Sequence, residues 1–222
     1  MVEHSSTADR YLEAIFYIDA EGDAVRPSRL ASWLGVRPPT VTQALARLER
    51  DGFISTNDDR SVTFTHEGRT LAANVVRRHR ILERWLTQGL GLDWATADEE
   101  AERLASSFSD LIIDQIDQSL GFPDTCPHGN VIPGRVAPYG ELTAVAVLTA
   151  GSSARVRRIS EIAEHDARVL LARLAEAHLH ENSPIVVSSV DSEVHLVVVG
   201  HGPLTLSHTD AALIWVDGVV AA

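Results

Sequence analysis

The chain has 222 residues, 45% hydrophobic and 23% charged, an ordinary globular composition that excludes disorder and collagen-like repeats and leaves room for two modest domains. No apolar run approaches the ~18 residues of a membrane helix, and the polar first ten residues lack a signal-peptide core, so a cytoplasmic protein with no membrane partner is expected. Cys126 is the single cysteine, which excludes a disulfide framework or a cysteine-only zinc site within one chain.

All 19 basic residues are arginine, so a lysine Schiff base and a P-loop lysine are excluded. The net charge of −12 disfavours nucleic acid in sum but not in distribution. Residues 26–80 carry ten arginines against five acids, while the rest of the chain carries nine against 26. A basic island sits in an acidic chain.

In chain order, TADRYLEAIFYIDA (7–20) places Tyr11, Leu12, Ile15, Phe16 and Ile18 on one side at helical spacing, with Thr7 as N-cap. A short helix follows from Pro27 to Leu34, then one from about Pro39 to Arg50, each stopped by a glycine. Phe53–Thr56 and Ser61–Thr65 read as two short strands around an Asn-Asp-Asp turn. This order is that of a winged helix-turn-helix. The pattern is helical again from Glu67 to about Leu90. A further helix is expected over Thr96–Leu120, with Leu104, Phe108, Leu111, Ile112, Ile116 and Leu120 as a stripe suited to burial against a second copy. A Gly/Pro-rich linker then precedes a small β unit with strands over Val156–Ile159, Ile185–Val190, Val194–Val199 and Ile214–Val216 and a helix over Asp166–Ala177. The fold class is mainly α with a small β part.

The segment LASWLGVRPPTVTQALARLERDGFI carries the strongest functional signal. A recognition helix presents short polar side chains and arginines at its N-terminal end, where the backbone approaches bases and phosphates. Arg37, Pro38, Pro39, Thr40, Thr42 and Gln43 occupy that end, while Val41, Leu45 and Leu48 hold the core side. Gln pairs with adenine, and Thr and Pro pack on a thymine methyl. Arg47 and Arg50 suit phosphates, and Arg60 is the wing contact; Asp58 and Asp59 oppose deep insertion of the wing. A helix-turn-helix used only for protein contacts is the bland alternative.

On these motifs, with T-x-x-x-Y-L-x-x-I near residues 7–15, GRTLAANVVRRHRILERWL and CPHGNVIPG, the chain resembles the diphtheria toxin repressor family of iron- and manganese-dependent regulators over nearly its whole length. The resemblance implies a winged helix-turn-helix domain (1–74), a helical dimerisation and metal-binding domain (75–140), and a linker with an SH3-like domain of the iron-sensing branch (141–222). It further implies a homodimer that binds a divalent ion and then a palindromic double-stranded operator, with Mn²⁺ or Fe²⁺ as the ion and Zn²⁺ or Co²⁺ as in vitro substitutes.

His79 and Glu83 lie four apart on one helix face, as do Asp98 and Glu102 on the next helix, and together they form a donor set for a divalent transition ion. In the resembling family His79 and Glu83 match ligand positions outright. Asp98 stands where the iron branch has histidine, and Glu102 matches the carboxylate of the manganese branch. Two further ligand positions carry Ala105 and Ser106, and a third, on the first helix, carries Arg10, a permanent cation that cannot be a ligand. One of two neighbouring family sites is therefore expected to be lost. Glu161, Glu164 and His165 are candidate ligands from the C-terminal domain. An Arg10–Glu102 salt bridge replacing the lost ion, and with it metal independence, is the alternative.

Other readings are weaker. Cys126 and His128 can chelate, but the resembling family has the same loop. Arg80 and Asn130 match positions near a bound anion. A His/carboxylate metalloenzyme is the competing class, and no nucleophile elbow, HExxH, glycine-rich phosphate loop or cofactor fingerprint supports it.

Overall fold

The computed structural model describes residues 6–166 and 168–221, with the backbone alone at 6, 164–166 and 168. The first unit comprises α1 (Ser6–Ala20), α2 (Pro27–Leu34), α3 (Pro38–Arg50), and the antiparallel wing strands β1 (Ile54–Thr56) and β2 (Val62–Phe64). Its core packs Leu12, Ile15 and Ile18 against Leu30, Val41, Leu45, Leu48, Ile54 and Val62, so the buried face of α3 consists of the three apolar residues at helical spacing. The wing is tied to α3 by Glu49, whose Oε1 accepts from Thr56 N at 2.8 Å.

A long helix, α4 (His66–Leu90), leaves the wing and becomes the spine of the second unit. Its start is capped by Thr65, which accepts from Gly68 N at 3.0 Å and donates to Gly52 O at 2.7 Å. Gly68 lets the helix touch the wing: a Cβ there would lie 1.7 Å from Phe53 O. α4 runs unbroken through position 74, where the sequence places the first domain boundary.

The helix expected over 96–120 is two helices, α5 (Trp94–Ala105) and α6 (Asp110–Ser119). Ser109 caps the second by accepting from Ile112 N at 3.4 Å. Arg78 of α4 stabilises the break, since its guanidinium donates to Ala105 O (3.0 and 2.7 Å), to Phe108 O and to Asp110. Carbonyls freed at the end of one helix are thus satisfied by a side chain. Ile113 and Ile116 face the α4–α5 core, whereas Leu111 (69% exposed) and Ile112 point away from it.

The third unit is a six-stranded antiparallel sheet of order β3-β8-β4-β5-β6-β7, with β3 Thr143–Ala144, β4 Ser153–Ile159, β5 Pro184–Val190, β6 Glu193–Val198, β7 Gly202–Ser207 and β8 Ile214–Val220. Helix α8 (Arg168–Glu176) stands where a helix is expected, a further short helix α7 (Glu161–Asp166) precedes it, and α9 (His208–Ala211) joins β7 to β8. The unit docks on the first through Glu21, which follows α1. Its carboxylate pairs with Arg158 and accepts from Glu161 N at 3.0 Å.

Candidate metal centre and nucleic-acid interface

His79 lies midway along α4, 6% exposed, between two carboxylates. Its Nδ1 is 3.1 Å from Glu13 Oε1 on α1, and its Nε2 is 3.3 Å from Asp98 Oδ1 on α5. Glu13 is itself positioned by Tyr17, whose hydroxyl donates to Oε1 at 2.9 Å. Burial opposes charge on the imidazole, but the fields of Glu13 and Asp98 and their hydrogen bonds outweigh it and hold the pKa well above 6.5.

These groups line a cavity of about 120 Å³ together with Arg10, Glu102 and Glu161. One imidazole and several carboxylates are the donor set of a Mn²⁺- or Fe²⁺-type ion. Because the two ring nitrogens face different carboxylates, only one of the carboxylates can share an ion with the ring. The other is left to orient the imidazole, the usual outer-shell role. The donors present therefore fit a divalent ion.

Arg10 and Glu102 do form the anticipated pair, with Nε 3.1 Å from Oε1, but the two side chains are 52% and 50% exposed. Glu161 turns to Arg80, which is buried with it and also donates to Val131 O. Asn130 holds the β unit instead, donating to Ile159 O at 3.0 Å and accepting from Arg158 Nε at 2.6 Å.

In the first unit, Arg37, Pro38, Pro39, Thr40, Thr42, Gln43, Arg47, Arg50 and Arg60 are all exposed. They belong to α3, its N-cap and the wing turn; the first two positions of α3 are Pro38 and Pro39, which carry no amide hydrogen, and Thr40 N donates to Arg37 O at 3.0 Å, so side chains and not free amides are what this end presents. Asp51 partly restrains the arginines, lying 3.7 Å from Arg47 and 3.0 Å from Arg50. Asp59 is turned to Arg26 at 3.4 Å.

Comparison with known proteins matches residues 3–62 to the iron dependent repressor N-terminal DNA-binding domain and residues 65–134 to the iron dependent repressor metal-binding and dimerisation domain. The chain is 33% identical to the iron-dependent repressor IdeR of Mycobacterium tuberculosis over 99% of its own length and 100% of the relative's. The chain belongs to the iron-dependent repressor family. It is 40% identical to the diphtheria toxin repressor of Corynebacterium diphtheriae over 58% of its length and 57% of that protein's. A solved manganese-dependent transcriptional repressor in complex with manganese superposes with a TM-score of 0.82 at 30% identity, covering 94% of this chain and 98% of that one. The protein is a metal-responsive transcriptional repressor with a DNA-binding and a metal-binding, dimerising domain.

In this repressor the anticipated ligands do not all converge. Glu83, one turn beyond His79, faces away from the cavity towards His128, with Oε1 2.8 Å from Nδ1. Glu164 and His165 lie outside the described side chains. Glu13 was absent from the anticipated set; the signal for it is an acid embedded in the apolar run YLEAIFYI, where an exposed helix face would not need to continue hydrophobic on both sides. Among the described residues no helix is long and apolar enough to cross a membrane.

Proposed function

We propose that the repressor is a homodimer that binds a palindromic operator when a divalent ion, Mn²⁺ or Fe²⁺, occupies the His79 cavity, with Zn²⁺ or Co²⁺ substituting in vitro. Domain limits of 1–74, 75–140 and 141–222 describe it, with α4 shared between the first two. The observation that carries the reading is the burial of His79 between Glu13 of α1 and Asp98 of α5. An ion held there supplies positive charge to the ring and to one of the two carboxylates while the other carboxylate orients the ring, so α1, α4 and α5 are tied through His79. His79 must give up its ring proton, Asp98 and Glu13 supply or orient the donors, and Tyr17 holds Glu13 in place. The winged unit, which carries Glu13, is thereby fixed relative to α4 and α5. This is a population shift, effective only as far as the fixed orientation binds the ion better than the others.

The second family position is degenerate in this reading, because Ala105 and Ser106 offer no strong donor and Arg10 occupies the remaining place with its own cation. The dimer is formed by Leu111, Ile112 and their surroundings, which are apolar and exposed on α6. Two copies of α3 then enter successive major grooves about 34 Å apart. Gln43, Thr40, Thr42, Pro38 and Pro39 read bases, and Arg37, Arg47, Arg50 and Arg60 contact phosphate. The protein acts as a regulator and not as an enzyme. Footprinting on fragments upstream of its own gene tests this. Two-fold symmetric protection that appears with Mn²⁺ and vanishes with chelator supports the reading. Absence of protection at every salt and metal concentration contradicts it.

A further inference from the structure

Three histidines meet at one corner of the β unit. His178 follows α8, His180 lies two residues further on, and His201 sits in the turn between β6 and β7. No sequence spacing announces the group, because the sheet assembles it. The start of β5 pairs with the end of β6, Ile185 opposite Val198, and Val199 N donates to Pro184 O at 3.0 Å. This lays the turn before β5 against the turn after β6. The rings of His178 and His201 stack with centroids 4.6 Å apart, and those of His178 and His180 lie 6.3 Å apart.

The backbone that carries the rings is fixed. At the end of α8, Leu179 N returns to Leu174 O at 2.9 Å and His178 N to Ala175 O at 3.0 Å. The left-handed residue of this turn is His178, at φ +54°, a position that ordinarily favours glycine. A side chain is therefore kept where the backbone penalises one, and such strain concentrates at functional positions. Leu179 is fully buried, while His178 and His180 on either side of it are exposed. His180 N donates to Ser183 Oγ at 2.9 Å, and Ser183 Oγ donates to His178 O at 3.3 Å, which closes the turn. Among the described residues none makes a hydrogen bond or ion pair with any of the three rings. His180 is held below its ordinary pKa of 6.5 by partial burial and then by the fields of His178 and His201. A neutral imidazole offers a lone pair, the form that binds metal.

We propose that His178, His180 and His201 form a surface site for a borderline divalent ion of the Zn²⁺ class, on the β unit and separate from the His79 cavity. Imidazole suits Zn²⁺, Cu²⁺ and Ni²⁺, whereas a site without carboxylates suits Mn²⁺ poorly. A tetrahedral Zn²⁺ with nitrogens at about 2.0–2.1 Å holds them roughly 3.3 Å apart. All three side chains are exposed, so rotation about their own bonds parts the stacked pair and brings the ring nitrogens to that spacing without disturbing a packed core. The fourth position is left to water. The ring of His180 also meets that of Trp94, the first residue of α5, edge-on with centroids 5.3 Å apart. An ion in this place therefore lies beside the helix that carries Asp98.

An ion tethered to a matrix reaches exposed imidazoles only, and His79 is 6% exposed, so the two sites are separable. The experiment passes the untagged, metal-free full chain over immobilised Zn²⁺ and reads the imidazole concentration that elutes it. Retention of the wild type is expected, with His178→Gly and His201→Asn eluting at a several-fold lower concentration. His66→Asn and His208→Asn, which remove exposed histidines elsewhere, should elute with the wild type. Glycine relieves the left-handed position, so His178→Gly should melt no lower than the wild type, which separates lost binding from lost folding. Cu²⁺ in solution should quench tryptophan fluorescence more in the wild type than in His178→Gly, because the ion sits beside Trp94. No retention of the wild type, equal retention of His178→Gly, an equal loss in His208→Asn, or equal quenching in the wild type and His178→Gly overturns the proposal. Failure of operator binding to respond to Mn²⁺ would contradict the His79 reading and leave these outcomes unchanged.

Discussion

Arg10→Met distinguishes a salt bridge from an ion as the element that fixes the winged unit. The pair spans 3.1 Å, with both side chains about half exposed. Pairs so exposed contribute roughly 0.2–1 kcal/mol because solvent screens them and two long side chains must be ordered. One kcal/mol is a factor of about five in a two-state equilibrium. Moving such an equilibrium from 1:99 to 99:1 needs about 5.5 kcal/mol. The pair alone therefore falls several kcal/mol short of a lock. In fluorescence anisotropy with labelled operator, Arg10→Met should lower affinity at saturating Mn²⁺ by no more than about fivefold. It should also strengthen Mn²⁺ binding, since a cation is removed from the cavity wall. A loss of 100-fold or more, equal with and without Mn²⁺, would refute the reasoning and establish the pair as a metal-independent lock.

Other outcomes follow from single residues. Arg47→Ala should weaken binding to all sequences and reduce the salt dependence by about one unit of slope, whereas Gln43→Ala should relax preference at one base position; operator-variant competition would expose the reverse pattern. Asp117 is 1% exposed and accepts from Arg77 at 2.7 Å and Arg135 at 2.6 Å. Asp117→Ala should cost about 3 kcal/mol in urea unfolding, at the low end for a broken buried pair because the arginines keep partial access to water. A loss under 1 kcal/mol would contradict that. The raised pKa of His79 contributes stability to the metal-free protein that is fully present below about pH 6.5 and fades as pH rises through the higher folded value. Mn²⁺ binding competes with the same proton, so its affinity should rise with pH over that window. Calorimetry showing affinity independent of pH would exclude His79 as a ligand.

The local elements were legible where periodicity and capping agree. The core face of α3 is written in Val41, Leu45 and Leu48 at helical spacing, and its exposed face is the arginine- and threonine-bearing remainder. The break between α5 and α6 was not legible, because the stripe from Leu104 to Leu120 continues through it; the cause is tertiary, in the donors that Arg78 brings from α4. Strand β7 escaped notice because Gly202 and Pro203 disguise it, yet it pairs with β6 from Glu193 to Val198 as the edge of the sheet, where proline is tolerated. At the site, helical spacing put His79 with Glu83 and Asp98 with Glu102, and the resemblance suggested the Arg10–Glu102 contact; in the structure His79 lies beside Asp98, Arg10 beside Glu102, and Glu83 beside His128. Residues four apart share a broad helix face, but a rotation of about 40° per step of four separates their tips, and here it sends Glu83 to His128. Glu13 and Glu21 contact partners 66 and 137 residues away, His79 and Arg158, a relation that no local pattern contains.

The most direct test is operator affinity as a function of free Mn²⁺ for the wild type and His79→Ala. The wild type should gain about 100-fold or more, the range of strong allosteric coupling, and His79→Ala should bind equally weakly at every Mn²⁺ concentration while keeping its fold and dimer. Tight operator binding by the chelated wild type, or an undiminished Mn²⁺ response in His79→Ala, would contradict the assignment of the ion to this cavity.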